Sequence, residues 1–138
     1  MAFQNPSPEE IKALLQRVKT IAVVGLSPKP DRPSYGVSRA MQRFGYRIVP
    51  VRPAVDGVLG EKAYARLADI PFPVDLVDVF REVSAIPGVV DECIAIGAPA
   101  IWIQEGIVHA DAAGKARAAG LAVVMDRCIY KEYIRLMP

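Results

Sequence analysis

Apolar residues fall into two alternating kinds of run along this chain. One kind is short, continuous and rich in valine and isoleucine: Thr20–Gly25 (TIAVVG), Tyr46–Val51 (YRIVPV), Val74–Phe80 (VDLVDVF), Ala100–Gly106 (AIWIQEG) and Leu121–Asp126 (LAVVMD). Such runs predict strands buried on both faces, as in parallel sheets. The other kind repeats at three- and four-residue spacing and predicts helices. Ile11, Leu14, Leu15 and Val18 form the first stripe, introduced by Ser7 as N-cap, Pro8 at the first helical position, and Glu9 and Glu10 at the positive helix end. Val37, Ala40, Met41 and Phe44 form the second, closed by Gly45. Further helices are predicted over 86–97, over 111–119 with Gly120 as the stop, and over 128–137. The less regular stretch 54–73 is expected to hold a short helix over 61–68.

Regular alternation of strand and helix implies right-handed crossovers and a parallel sheet covered on both faces. The expected fold is α/β and Rossmann-like: one domain over residues 1–138, a five-stranded parallel sheet in the order 3-2-1-4-5, and helices on both faces. Sheets of this kind bind ligands outside the carboxyl ends of their strands, where the strand order reverses. The end of the first strand is therefore the place to look for chemistry.

That strand runs into VVGLSPKPDRPSYGV, Val23–Val37. Gly25 removes side-chain bulk at the turn, and a helix beginning near Ser34 would aim free N–H groups and its positive end at the crevice, which suits a phosphate or diphosphate. Ser27 and Ser34 add hydroxyls, Lys29 and Arg32 add cations, and Tyr35 and Gly36 open the helix, where a glycine permits close approach. Pro28, Pro33 and their neighbour Pro30 stiffen the loop and lower the ordering cost of binding. The alternative is a surface loop with solvated charges. The second glycine comes eleven residues after the first, so the G-x-G-x-x-G spacing of an NAD site is absent. The second strand ends not in the ribose-binding acid of such sites but in Arg52, which either serves a phosphorylated ribose, as in NADP or coenzyme A, or is merely exposed.

The other strand ends supply further candidates. Phe80 and Arg81 follow the third strand, and Phe80 belongs either against a ligand or in the core. Gln104, Glu105, Gly106 and Ile107 follow the fourth: Gln104 is suited to hydrogen-bond an amide, and Glu105 to act as a base or to fix the turn. Cys128 stands beside Arg127 at a helix start, where a thiol is either activated or simply packed.

Composition narrows the function classes. With 138 residues, 52% hydrophobic and 23% charged, the chain can bury its own core, and a formal net charge of +2 gives no bulk attraction for nucleic acid. The first ten residues lack a signal-peptide pattern and no apolar run reaches the length of a membrane span, so a cytoplasmic protein with no membrane partner and two reduced thiols, Cys93 and Cys128, is expected. The single His109 starts a helix, and one histidine gives no two-histidine metal site within one chain, so neither a histidine-based triad nor a metal is expected.

VVGLSPKPDRPSYGV, GYRIVPVRP, VDLVDVFR, AIWIQEGI and GLAVVMDRC, in this order over residues 8–134, resemble the small bacterial CoA-binding proteins, whose fold is similar to the nucleotide-binding domain of the succinyl-CoA synthetase alpha subunit. The resemblance implies coenzyme A, or an acyl-CoA, bound across the strand ends. Gly25, Ser27, Arg32, Ser34 and Gly36 match the family's phosphate loop, and Gln104 to Ile107 match its QEGI turn. Where the family reads valine-asparagine-proline, this chain has Val51-Arg52-Pro53, and an arginine there suits the 3′-phosphate. The synthetase's phosphohistidine segment and second domain are missing, so the resemblance implies a binding protein without an established reaction. The competing readings are an NADP-dependent reductase, a small acyl-CoA or thiol enzyme using Cys128 or Glu105, and an interaction module whose pocket is vestigial.

Overall fold

The computed structural model describes residues 3–138. In chain order the elements are α1 (Pro8–Arg17), β1 (Thr20–Val24), α2 (Pro33–Arg43), β2 (Arg47–Val51), β3 (Gly57–Val58), β4 (Glu61–Lys62), β5 (Leu76–Val79), α3 (Ile86–Ile96), β6 (Ala100–Ile103), α4 (Ala110–Ala118), β7 (Ala122–Met125) and α5 (Ile129–Leu136). The α1 start follows the expected chemistry. The Ser7 hydroxyl accepts from the Glu10 N–H while the Glu10 carboxylate accepts from the Ser7 N–H, a capping box worth about 1 kcal/mol. These hydrogen bonds to Ser7 hold the Glu10 carboxyl below its ordinary pKa.

Five strands form one parallel sheet in the order β2-β1-β5-β6-β7. Successive residues face opposite sides. Ile21, Val23, Leu76, Trp102 and Val124 pack beneath α1, α2 and α5, whereas Val24, Val77, Val79, Ile101 and Ile103 pack beneath α3 and α4. The α/β architecture with helices on both faces is thus as expected.

The order of the five strands is not. Counted among themselves they run 2-1-3-4-5, because the strand at Leu76–Val79 lies inside, against β1, and not outside β2. All four of its residues are buried, as suits a strand paired on both sides. The outer edge of β2 is instead met at one point, a parallel bridge between Val51 and Tyr64, with Tyr64 N–H donating to Pro50 O and Arg52 N–H to Tyr64 O. Counting that remnant as a strand restores a 3-2-1 run on this side of the sheet, its third member shrunk to one bridge.

The helix expected over 61–68 is replaced by the β3–β4 hairpin, the Tyr64 bridge and a 3-10 turn at Leu67–Asp69. Leu59 and Gly60 both have positive φ, the geometry of a tight two-residue hairpin loop. That turn, and the capture of Tyr64 by β2, override the helical preference of the alanines and leucine nearby.

Two side chains finish the sheet. The Asp75 carboxylate accepts from the Lys19 and Thr20 N–H groups and ties β5 to the start of β1. At the far edge, Asn5 Nδ2 donates to Met125 O and Asn5 Oδ1 accepts from Met125 N–H, both at 2.8 Å, so a side chain occupies the free side of β7.

Candidate functional site

The reversal of strand order falls between β1 and β5, and there the sheet opens into a cleft of about 730 Å³. Its walls come from the β1–α2 loop, the ends of β2, β5 and β6, and the first turn of α5. A second cavity of about 620 Å³ adjoins it and shares Gly25, Arg52, Phe80 and Arg81.

Gly25 is the tightest point. Its φ is +86°, and a Cβ there would run into the Phe80 carbonyl oxygen. Only glycine lets the β1 turn lie against the end of β5. Beyond it the loop is pinned from within: the Ser34 hydroxyl accepts from the Ser27 N–H at 3.0 Å, and the Ser27 hydroxyl accepts from the Lys29 N–H at 3.1 Å. Both serines are buried. Their first role is therefore to shape the loop.

α2 starts one residue earlier than expected, at Pro33, with Arg32 as an N-cap that makes no side-chain capping bond. Tyr35 and Gly36 N–H groups bond back to Arg32 O, whereas the Ser34 N–H meets no acceptor among the described residues. One free amide at the positive helix end remains beside the cleft.

Five cations line the cleft: Lys29, Arg32, Arg52, Arg81 and Lys131. Glu105 is the carboxylate facing them. Arg81 is engaged by Glu82 at 3.1 Å and Lys131 by Glu105 at 3.0 Å. These contacts lower the Glu82 pKa and raise that of Lys131. Among the described residues Lys29, Arg32 and Arg52 make no salt bridge. The surplus of positive charge sits at the α2 side.

The sequence-derived site residues divide cleanly. Gly25, Ser27, Lys29, Arg32, Ser34, Arg52, Phe80, Arg81, Gln104, Glu105 and Ile107 border the cleft. Tyr35, Gly36 and Gly106 do not. Tyr35 packs on the α2-side core with the Arg39 guanidinium 5.9 Å from its ring. Gly36 lies in the first turn of α2, and among the described residues no other part of the chain comes within 4 Å of where its Cβ would be. Gly106 turns with φ +86°, and its N–H is taken by the Asp126 carboxylate at 2.8 Å.

Two residues went unrecognised in the sequence. Lys131 enters the cleft from α5, one turn after Cys128, which also borders it. A lysine three residues beyond a helix start at a strand's carboxyl end faces the same crevice, and that spacing was the available signal. Asp78 lies in β5 with 1% of its surface exposed. Burial pushes its carboxyl up to about 7 against the opposing pull of a hydrogen bond from Gln104. The signal was an acid in an otherwise apolar, doubly buried strand.

The remaining candidates for chemistry are structural. His109 caps α4, its Nδ1 accepting from the Ala112 N–H. The Cys93 thiol is buried in α3 and pushed up to about 12 by that burial. Among the described residues no group of three His, Cys, Asp or Glu could hold a metal ion. No described helix is long and apolar enough to cross a membrane.

Comparison with known proteins gives four findings. The family model described as CoA binding domain matches residues 19–134. The uncharacterized protein YneT of Bacillus subtilis (strain 168) is 50% identical over 127 residues, 92% of this chain and 94% of YneT. A hypothetical protein from Pyrococcus horikoshii OT3 superposes with a TM-score of 0.92 at 36% identity, covering 100% of both chains. A more distant relative is acetate–CoA ligase [ADP-forming] II of Archaeoglobus fulgidus, 31% identical over 81 residues, which are 57% of this chain but 12% of the ligase.

Proposed function

The chain belongs to the CoA-binding domain family, and on that premise we propose that it binds coenzyme A or an acyl-CoA in the β1–β5 cleft, as a binding protein and not as the catalyst of a reaction of its own. The observation that carries the reading is the pairing of an uncapped α2 start with Lys29 and Arg32, two cations free of carboxylates, at the mouth of a cleft where Gly25 brings the β1 turn against β5. A diphosphate is the anion whose size and charge match those groups. The 3′-phosphate of the adenosine end would meet Arg52. The pantetheine arm would run past Phe80 toward Gln104 and Ile107, which border the same cleft.

NADP shares the diphosphate and the phosphorylated ribose but lacks the pantetheine arm, so competition separates the two. Calorimetry on protein stripped of small molecules is expected to give a coenzyme A Kd below about 1 mM, with NADPH unable to displace it at equal concentration. A Kd far above that value, or NADPH displacing coenzyme A, overturns the proposal.

A further inference from the structure

Asp78 poses a question that the cleft alone does not answer. It stands in the middle of the sheet, paired with Val23 on one side and Trp102 on the other, and nearly sealed from solvent. Among the described residues no salt bridge reaches it. A carboxyl group buried without a cation costs stability, and an apolar residue at the same place would not. Its one side-chain partner is Gln104, whose Nε2 donates to Asp78 Oδ1. Gln104 lies two residues beyond Trp102, so both side chains project from the same face of the sheet, as diagonal neighbours on adjacent strands.

The pairing settles which end of the carboxamide goes where. An amide has one donor end and one acceptor end; Gln104 Nε2 is the end that donates to Asp78 Oδ1, and the ionised Asp78 carboxylate, which can only accept, holds it that way. The NH₂ is therefore turned inward. Gln104 Oε1 has no donor among the described residues, yet it is not a sealed atom; Ser38 Oγ is the sealed, unpartnered side-chain atom found among them. Gln104 borders the cleft, so what it presents there is a fixed carbonyl oxygen.

We propose that Asp78 is a positioning residue for ligand recognition: it locks the Gln104 carboxamide so that the cleft offers an acceptor to an N–H donor of the ligand. Resting on the coenzyme A reading, this assigns Gln104 to an amide N–H of the pantetheine arm. A carboxamide free to flip would offer its NH₂ group half the time and match a carbonyl instead. Locking it selects a ligand with an N–H at that point and removes the entropy cost of orienting the side chain on binding.

The test is a double-mutant cycle read with two ligands. Coenzyme A carries the amides; adenosine 3′,5′-bisphosphate carries the nucleotide end without them. Asp78→Val and Gln104→Met are each expected to weaken coenzyme A binding about tenfold, the worth of one hydrogen bond to a well-placed acceptor. The double variant should lose no more than Gln104→Met alone, because Asp78 acts through Gln104. Adenosine 3′,5′-bisphosphate should bind all of them equally. Asp78→Asn keeps an acceptor oxygen and should recover most of the affinity. Losses that add in the double variant, equal losses for both ligands, or no loss in Asp78→Val each overturn the assignment while leaving the coenzyme A reading standing. Failure of the unaltered protein to bind either ligand overturns that reading and this assignment with it. Thermal melting of each variant checks folding; should Asp78→Val fail to fold, Gln104→Met and Asp78→Asn still decide the matter through the two-ligand comparison.

Discussion

The loop after β1 and the turn after β6 stand on the same edge of the sheet and border one cleft, but their polar groups are disposed differently. In the turn nearly every group is answered by the chain itself. Gln104 bonds Asp78, Glu105 pairs with Lys131, the Gly106 N–H goes to Asp126, and the Ile107 N–H goes back to Gln104 O. In the loop the backbone is pinned by Ser27 and Ser34, yet Lys29 and Arg32 carry charges that no carboxylate of the described residues meets, and the Ser34 N–H is unanswered. A self-satisfied turn holds a shape, whereas a loop with free donors leaves room for an anion to be received. The two together make a cleft with one end defined by charge and the other by hydrogen-bond geometry.

The sharpest way to break this contrast is at the base of the loop. Gly25→Ala forces a side chain into a positive-φ turn and onto the Phe80 carbonyl. It is expected to destabilise the protein by about 3 kcal/mol or more, read as the urea midpoint, with coenzyme A binding lost. A stable, binding-competent Gly25→Ala protein would mean that the loop does not depend on its contact with β5.

Next in size is the cost of holding the turn. The Asp78 carboxyl is raised from 3.8 to about 7 in the folded protein. The folded state thus takes up this proton more readily than the unfolded chain. Its contribution to stability is fully present below the unfolded pKa of about 4 and is lost as pH rises toward 7. Asp78→Asn, which cannot ionise, should match the unaltered protein near pH 4 and exceed it by roughly 2–4 kcal/mol above pH 7. Denaturant unfolding at the two pH values measures this; an advantage that does not grow with pH would show that the carboxyl is not penalised by burial.

The smallest effects compare charges across the cleft. Replacing Lys29 and Arg32 together by alanine should raise the coenzyme A Kd about 10- to 100-fold. Glu105→Gln, at an exposed ion pair, should change it less than about threefold. Equal effects at both places would erase the distinction between a receiving loop and a self-contained turn.

How far this was legible in the sequence depends on what fixes each feature. The five main strands were readable because burial on both faces makes their apolar runs continuous. The cleft at the end of the first strand was readable because a parallel sheet brings all its carboxyl ends to one edge. Segment 61–68 was misread because the Leu59–Gly60 turn and the Tyr64 bridge are tertiary choices that local helix preference does not register. That same bridge hid the place of β5, which looks third in the chain yet sits beside β1. Tyr35, Gly36 and Gly106 lie off the cleft wall for a different reason: each is next to a cleft residue, but helix rotation and turn bonding aim it elsewhere. Lys131 and Asp78 need knowledge of where α5 begins and of which strand is central.

The carboxamide of Asn5 fills the place that a neighbouring strand would take beside Met125. That rim of the sheet is thereby a finished border, offering no template on which another chain's strand could stack at this point. The opposite rim, outside β2, is touched at the Tyr64 bridge and carries Pro50, which lacks an amide hydrogen to lend. Both margins of the sheet thus discourage fibre-like growth, one by occupation and the other by chemistry, and the molecule's open surface chemistry is left concentrated where the strands end.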